Sequence, residues 1–332
     1  MKKTLCCVLL LGFLAAIAPF AALLLPSGGS PVSTPESTPA PTAEEIPSLT
    51  PQPPAAAPAA NADAGADLTL YDAALGQRIT VPVKEFLIGA AACELPADWP
   101  DHAIQAQMVA SHSYARSLGE DPMQVNSALC AGWTDSTVLQ ARWGDDFEEN
   151  HTRFAALAEE VCDALLCYQG APAAACYHSI SAGKTEASQN VWLTALPYLQ
   201  GVDSPWDTTV DEYEVTVTYS AEQVATMLQG LGLAPDDDPG SWFGAVDWDD
   251  AGYVESMEVC GTDFGGTTLR SAFALRSASF TVAYAGGAFR LTTHGYGHGV
   301  GLSQYGAKAM AEGGADWRKI LTYYFPGCEI AE

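Results

Sequence analysis

Residues 294–327 read HGYGHGVGLSQYGAKAMAEGGADWRKILTYYFPG, and the reading of this stretch organises the rest of the chain. Glycine falls at 295, 297, 299 and 301, so an extended segment here has one face without side chains. Glycine weakens a strand unless another backbone or a ligand must come close. The opposite face presents His294, Tyr296, His298, Val300 and Leu302. Ser303 is placed to cap a helix over residues 304–312, which Gly313 and Gly314 stop. Asp316 caps a second helix running to Tyr324, and Pro326-Gly327 closes it. On an extended segment His294 and His298 stand about 13 Å apart, which argues against a metal held between them.

This stretch resembles the C-terminal signature of the stage II sporulation protein D family, approximately G-x-G-x-G-H-G-V-G-M-S-Q-Y-G-A followed by a short helix and Y-Y-P-G. Leu302 stands for the usual Met. The resemblance implies a cell-wall enzyme acting on peptidoglycan glycan strands, with Tyr296, His298, Ser303, Gln304 and Tyr305 among its substrate contacts.

A second matching segment lies upstream. Residues 77–83 read as a strand and 84–92 as a short helix, broken at Glu94-Leu95-Pro96. Pro100 suits the first turn of a second helix that ends at Gly119. On that helix Ile104, Met108, Ala115 and Leu118 share one side, while His102, Gln105, His112 and Arg116 follow the other. Such a polar face is usually solvated. Because it begins just after a carboxylate at a helix–helix corner, the alternative is that it lines a groove.

Residues 81–115 are similar to the family's short helix, then G-V-V-x-x-E-M-P, then E-A-L-K-A-Q-A-x-A-A-R-T-Y-A. Glu94 aligns with the family's catalytic glutamate. Gln105 replaces the usual Lys and His112 the usual Arg, with Arg116 one turn on as a substitute for the missing charge. Further along, His178, Ser179, Ser181, Ala182, Gly183, Thr185 and Glu186 follow the family's H-S-T-S-G-G-x-T-E, in a loop whose hydroxyls can meet a sugar chain or simply bond to backbone. No G-x-S-x-G elbow of a serine hydrolase is present. Leu269-Arg270 to Phe280 resembles R-x-x-L-x-L-R-S-x-x-F, and in so acidic a chain Arg270 and Arg276 read first as structural ion-pair partners.

Some family members hold zinc through a Cys and a His-Cys pair just after the second helix. Here Cys130 is present, but Val138 and Leu139 take the place of the pair. One thiol does not make a four-ligand site, so no zinc and no other cofactor is expected.

The remaining pattern is that of a mixed α+β protein, helices and antiparallel strands around a substrate groove. Residues 152–167 have helical apolar spacing, and 173–177 read as a strand. Residues 212–219 alternate as a strand does, 221–231 form a helix, 235–240 an acidic turn, and strands follow near 253–259, 279–284 and 288–292.

The 332 residues carry 40 acidic and 14 basic side chains, a net charge of −26. That balance argues against nucleic acid and anionic lipid as partners, since both need clustered Lys and Arg. Residues 4–25 form an uncharged apolar run of 22, preceded by Lys2 and Lys3. At 1.5 Å per residue the run is about 33 Å long, enough to cross a bilayer. A single-pass anchor with the domain on the extracytoplasmic side is expected. The competing reading is a cleaved signal peptide: Pro19 follows the best site within the run, Ala16-Ile17-Ala18, and disfavours cleavage there, while Ser27-Gly28-Gly29 just beyond it stays open as a weaker site. Ten of the 21 prolines lie between residues 26 and 66, the composition of a semi-rigid stalk. The expected organisation is therefore residues 1–25 as cytoplasmic tip and anchor, 26–66 as linker and 67–332 as the catalytic domain. Outside the anchor, which contains Cys6 and Cys7, seven cysteines remain, an odd set without C-x-x-C that suits buried thiols better than a disulfide framework.

The function implied is a lytic transglycosylase cutting glycan strands already stripped of stem peptides by an amidase partner, in a membrane-anchored complex during spore engulfment. In it Glu94 serves as acid and then as base, and the sugar's own C6 hydroxyl replaces water, so the second carboxylate of ordinary glycosidases is dispensable. Two other readings stand: a non-catalytic enhancer of a wall amidase, which uses the same domain, and a plain wall-binding module.

Overall fold

The computed structural model describes residues 64–332. The apolar run, Cys6 and Cys7, and all but the last three residues of the proline-rich stretch lie outside them. Among the described residues no helix is long and apolar enough to cross a membrane.

The fold is mixed α+β with mostly antiparallel sheets. A hairpin of β1 (Leu68–Asp72) and β2 (Gln77–Val81) gains a third, parallel strand, β3 (Met123–Val125), on the β1 side. Between them run α1 (Val83–Glu94) and α2 (Asp101–Ser117). Pro82 and Pro100 stand at the N-caps, where a proline's missing N–H leaves no helical bond unmade. Helices α3 (Ser136–Trp143) and α4 (Phe147–Val161) follow, then the hairpin β4 (Leu165–Tyr168) and β5 (Ala171–Pro172), the two-residue β6 (Tyr177–His178), and α5 (Ser188–Trp192).

Helix α2 is the centre of the first core. Fourteen of its 17 residues are buried, so its polar face is covered as fully as its apolar one. Phe86, Leu87, Ile104, Met108, Phe154, Tyr324 and Phe325 fill the space around it. A smaller second core belongs to β7 (Glu214–Ser220), α6 (Ala221–Gly230), β8 (Phe243–Trp248), β9 (Val254–Val259), β10 (Thr262–Phe264), α7 (Gly266–Ala272), β11 (Phe280–Ala285) and β12 (Ala288–His294). There Trp242 stacks on Phe289 with ring centroids 5.5 Å apart. The chain then returns to the first core as β13 (Leu302–Ser303), α8 (Gln304–Glu312), α9 (Trp317–Tyr324) and β14 (Glu329–Ala331), the last antiparallel to β4.

Both caps expected near the C-terminus are present. Ser303 accepts from the Gly306 N–H at 3.2 Å, and Asp316 from the Lys319 N–H at 2.8 Å. Three expectations are corrected. The helix expected over 152–167 begins at Phe147 and ends at Val161, and Leu165 to Cys167 belong to a strand. A continuous buried apolar run has no periodicity that separates helix from strand. The strand expected over 173–177 is only Tyr177 and His178, paired in parallel with Leu302 and Ser303. The glycine-rich segment is not extended either. Strand β12 stops at His294, and Gly295, Gly297, Gly299 and Gly301 all have positive φ, from 76° to 114°. At Gly299 a Cβ would stand 2.4 Å from the Tyr253 hydroxyl, and at Gly301 2.2 Å from the Cys176 carbonyl oxygen. The glycines thus let the chain pass close to the 176–181 segment and to the Tyr253 ring.

Candidate active site

Glu94 is the last residue of α1, partly buried where α1 turns toward α2. Its carboxylate accepts hydrogen bonds from the side chains of Gln304 and Tyr177 and from the backbone N–H of Gly132. These donors belong to one ring. Gln304 Nε2 also donates to Gln107 Oε1 at 3.1 Å, and Gln107 Nε2 donates to Ser111 Oγ at 3.1 Å. Ser111 in turn hydrogen-bonds to the Tyr177 hydroxyl, which completes the circuit to Glu94. Donor and acceptor directions are consistent round the ring, and both branches end on the carboxylate. Gln107 and Ser111 are one turn apart on α2, Tyr177 comes from β6, and Gln304 opens α8.

Burial is the largest influence on the Glu94 carboxyl and raises its pKa above the ordinary value, while the bonds from Gln304 and Tyr177 and the Arg142 charge pull it down. Burial wins, because a carboxylate short of water needs more compensation than neutral donors supply. The same shielding and the Glu94 charge push Tyr177 well above the usual tyrosine range, which keeps it a donor.

Beside Glu94, Cys93 and Cys130 are hydrogen-bonded to each other, and the Arg142 guanidinium donates to Cys130 Sγ at 3.1 Å. The bond from Cys93, then Arg142, lower the Cys130 thiol to about 7. The residues around Cys130 do not fit a zinc site. Leu139 is in the apolar core, and a guanidinium occupies the space beside the sulfur.

Three residues expected to contact substrate on α2 lie elsewhere. Gln105 is 1% and His112 0% exposed. Gln105 Nε2 donates to Glu160 at 2.8 Å, and Arg116 Nε to His112 Nε2 at 3.2 Å. Arg116 also reaches the carbonyls of Ala64 and Ala66. These side chains are on the side of α2 opposite Gln107 and Ser111, covered by α4 and by the segment entering the domain. They do not line a groove with Glu94.

The loop after β6 is also more internal than expected. Ser181 and Ser303 both hydrogen-bond to the buried Asp207, and Thr185 bonds to the backbone of Gln200 and Val202. Ser179 is half-buried, and its carbonyl accepts from Tyr305 N–H at 3.1 Å. The hydroxyls of Ser181, Thr185 and Ser303 hold the loop and do not face outward. His178 and His298 are buried with ring centroids 5.8 Å apart, and Trp192 packs on His298 at 4.9 Å. Burial lowers His178 to about 4 and drives His298 well down, so both rings are neutral at pH 7.

Tyr296 and Tyr305 remain accessible. Tyr296 is 47% exposed beneath Arg276, and Tyr305 packs edge-on to Trp99 at 5.0 Å. Of the residues named from the sequence, the structure therefore brings Gln304 onto Glu94, with Tyr305 the next residue of α8. Tyr177, Gln107 and Ser111 were not singled out. Two of them gave a signal: Tyr177 precedes the His178 motif on its strand, and Gln107 matches the Gln of the quoted K-A-Q-A pattern.

Residues 71–166, which contain Glu94 and all of α2, match the protein family described as stage II sporulation protein. The chain is 31% identical to stage II sporulation protein D of Bacillus amyloliquefaciens over 265 residues, 76% of this chain and 75% of that protein. With stage II sporulation protein D of Bacillus subtilis (strain 168) it shares 32% over 266 residues, again 76% and 75%. The chain belongs to the stage II sporulation protein D family. The chain is also similar to the amidase enhancer of Bacillus subtilis (strain 168), 27% identical over 297 residues, 71% of this chain but 39% of that protein.

Proposed function

We propose that the protein is a lytic transglycosylase that cuts peptidoglycan glycan strands, with Glu94 as the single acid/base group. The observation that carries this reading is the ring of donors ending on a partly buried carboxyl whose pKa burial has raised. A raised pKa leaves a fraction of Glu94 protonated near neutral pH, able to protonate the glycosidic oxygen as the bond to the leaving sugar breaks. The carboxylate so formed then takes the proton of the C6 hydroxyl as that oxygen closes on C1. A 1,6-anhydro sugar results, and Glu94 is reprotonated for the next cycle. The partners around Glu94 are neutral or cationic, as suits a mechanism with one carboxylate: Gln304, Tyr177, Gly132 and Arg142. Tyr305, half-buried and in edge contact with the buried Trp99, is an aromatic surface of the kind that packs on sugars.

The substrate is strands freed of stem peptides, and the setting is sporulation, as the relatives' names indicate for those proteins. The domain is held outside the cytoplasmic membrane by residues 4–25, in company with a wall amidase. The apolar run and its flanking lysines support the anchor, and the amidase-enhancer relative supports the partner. That relative also favours a second reading, in which the protein only stimulates an amidase. Incubating the protein with purified peptide-free strands, and separately with intact wall plus an amidase, distinguishes them. Anhydro ends in the first mixture support the enzyme. Their absence, with faster amidase release in the second, supports the enhancer.

A further inference from the structure

The turn that follows β3 lies along α1 and meets the glutamate. Trp133 Nε1 donates to the Glu85 carbonyl at 3.2 Å. At Gly89, one helical turn on, a Cβ would stand 2.1 Å from the Thr134 carbonyl oxygen, so backbone covers that face of the helix. Cys93 is one further turn along the same face, and Glu94 follows it. The Gly132 N–H bonds to the Glu94 carboxylate, and Cys130, two residues earlier, is hydrogen-bonded to Cys93. Two cysteines thus meet where this turn grips the end of α1.

Cys130 is also held in a conformation unusual for its residue type. Its φ of 52° and ψ of 45° are left-handed, a region that residues with a Cβ seldom adopt. Hydrogen bonds enforce it: Cys130 N–H donates to the Ser127 carbonyl at 3.3 Å and Ala131 N–H to the Asn126 carbonyl at 3.0 Å. Strain of this kind at one residue points to a use for its side chain. The Arg142 guanidinium donates to Cys130 Sγ at 3.1 Å. The bond from Cys93, then Arg142, bring the Cys130 thiol to about 7, so much of it is thiolate at neutral pH, the form that attacks a disulfide. Cys93 and Cys130 are half-buried, whereas Cys162, Cys167 and Cys176 are buried.

We propose that Cys93 and Cys130 are a dithiol–disulfide site, whose bridge staples the end of α1 to the turn that holds Glu94. The chemistry is thiol–disulfide exchange with a small-molecule disulfide as oxidant. The Cys130 thiolate attacks one sulfur of that disulfide and expels the other as a thiolate. Cys93 then gives up its proton, attacks the Cys130 sulfur of the mixed disulfide and expels the second thiolate. One S–S bond forms in the protein, one breaks in the oxidant, and two electrons pass from the cysteines to it. The sulfurs, already in hydrogen-bond contact, close to the about 2.05 Å of the bond. Outside the cytoplasmic membrane, where the domain is proposed to lie, such a bond persists. The site depends on the fold around Glu94 and not on the reaction that Glu94 performs.

The test takes the full chain in detergent, reduces it, and equilibrates it near neutral pH with glutathione mixtures of rising disulfide fraction. Remaining thiols are alkylated, and non-reducing digests are read by mass spectrometry. The expected product is a peptide pair joined through Cys93 and Cys130, formed in milder mixtures than any bridge among Cys162, Cys167, Cys176, Cys260 and Cys328. Bridged wild type should melt at least about 5 °C above the reduced protein, the scale of a typical loop closure. Cys130→Ser should show neither the bridge nor the shift. Recovery of Cys93 and Cys130 as alkylated thiols, or of Cys130 only as its glutathione mixed disulfide, would overturn the proposal. A bridge that leaves Tm unchanged would overturn its role as a staple. These readouts need no glycan, so a protein that cuts no strand fails the catalytic reading alone. The wild-type comparison stands even if the variant fails to fold.

Discussion

At Glu94 burial and hydrogen bonding act in opposite directions, and Tyr177 is the donor whose removal separates them. Its bond stabilises the charged form, so Tyr177→Phe should raise the Glu94 pKa further and shift the alkaline limb of the pH–rate profile upward. The carboxyl also loses one of its anchors, so kcat on peptide-free strands should fall about tenfold, within the range of a lost positioned hydrogen bond. An unchanged profile would show that Tyr177 does not reach the acid. Glu186 offers a stability test. Burial, then a hydrogen bond to Asp249, raises its pKa from 4.5 to about 8. Between those values the folded protein holds a proton that the unfolded chain has lost, so stability is full below about pH 4.5 and falls as pH rises toward 8. The slope for one such proton is about 1.4 kcal/mol per pH unit at most. Glu186→Gln should flatten thermal stability between pH 5 and 8, and an equally steep fall in that variant would place the titrating group elsewhere.

Among the elements, the caps of α8 and α9 were legible because a cap is a local arrangement of three or four residues. Ser303, Gly313, Asp316 and Pro326 carry it wherever the helices pack. The glycine run was misjudged because alternation alone does not distinguish a strand from a chain of left-handed turns. Only the atoms on either side, such as Tyr253 and Cys176, show why side chains are excluded. Gly301→Ala should therefore destabilise by at least about 2 kcal/mol, combining a left-handed alanine with a Cβ driven into the Cys176 carbonyl. Denaturant unfolding measures it, and a loss below about 0.5 kcal/mol would show that the segment relaxes freely. On α2 the polar stripe was visible but its covering was not. Gln105 and His112 are polar residues satisfied inside the protein, while Gln107 and Ser111, on the other side, serve the glutamate. The pair Gln107 and Gln304 is separated by 197 positions, beyond the reach of any local pattern.

For the molecule as a whole, we propose that the apolar run ahead of the proline-rich stretch is an anchor that is kept. Pro19 after Ala16-Ile17-Ala18 is the physical reason, since it disfavours cleavage at the best site in the run. N-terminal sequencing of the membrane-extracted protein should return an uncleaved chain, and a start near Ser27 or later would contradict the anchor. The family was legible from two separated motifs, and the structure brings them together: Gln304 of the second touches Glu94 of the first. Three-dimensional closure supplied what neither motif shows alone: Tyr177, and the contact of the first motif's Gln107 with Gln304 of the second.

The most direct measurement of the central claim is digestion of peptide-free glycan strands by wild type and Glu94→Gln, with products identified by mass spectrometry. Glutamine fits the same space and keeps hydrogen-bonding capacity toward Gln304 and Tyr177, but it can neither give nor take the proton. Acid–base catalysis typically contributes about 10²–10⁴-fold. The account predicts 1,6-anhydro ends from wild type and a loss of at least that size in Glu94→Gln, with an unchanged circular dichroism spectrum. Cleavage retained by the variant, or reducing ends in place of anhydro ends, would contradict it.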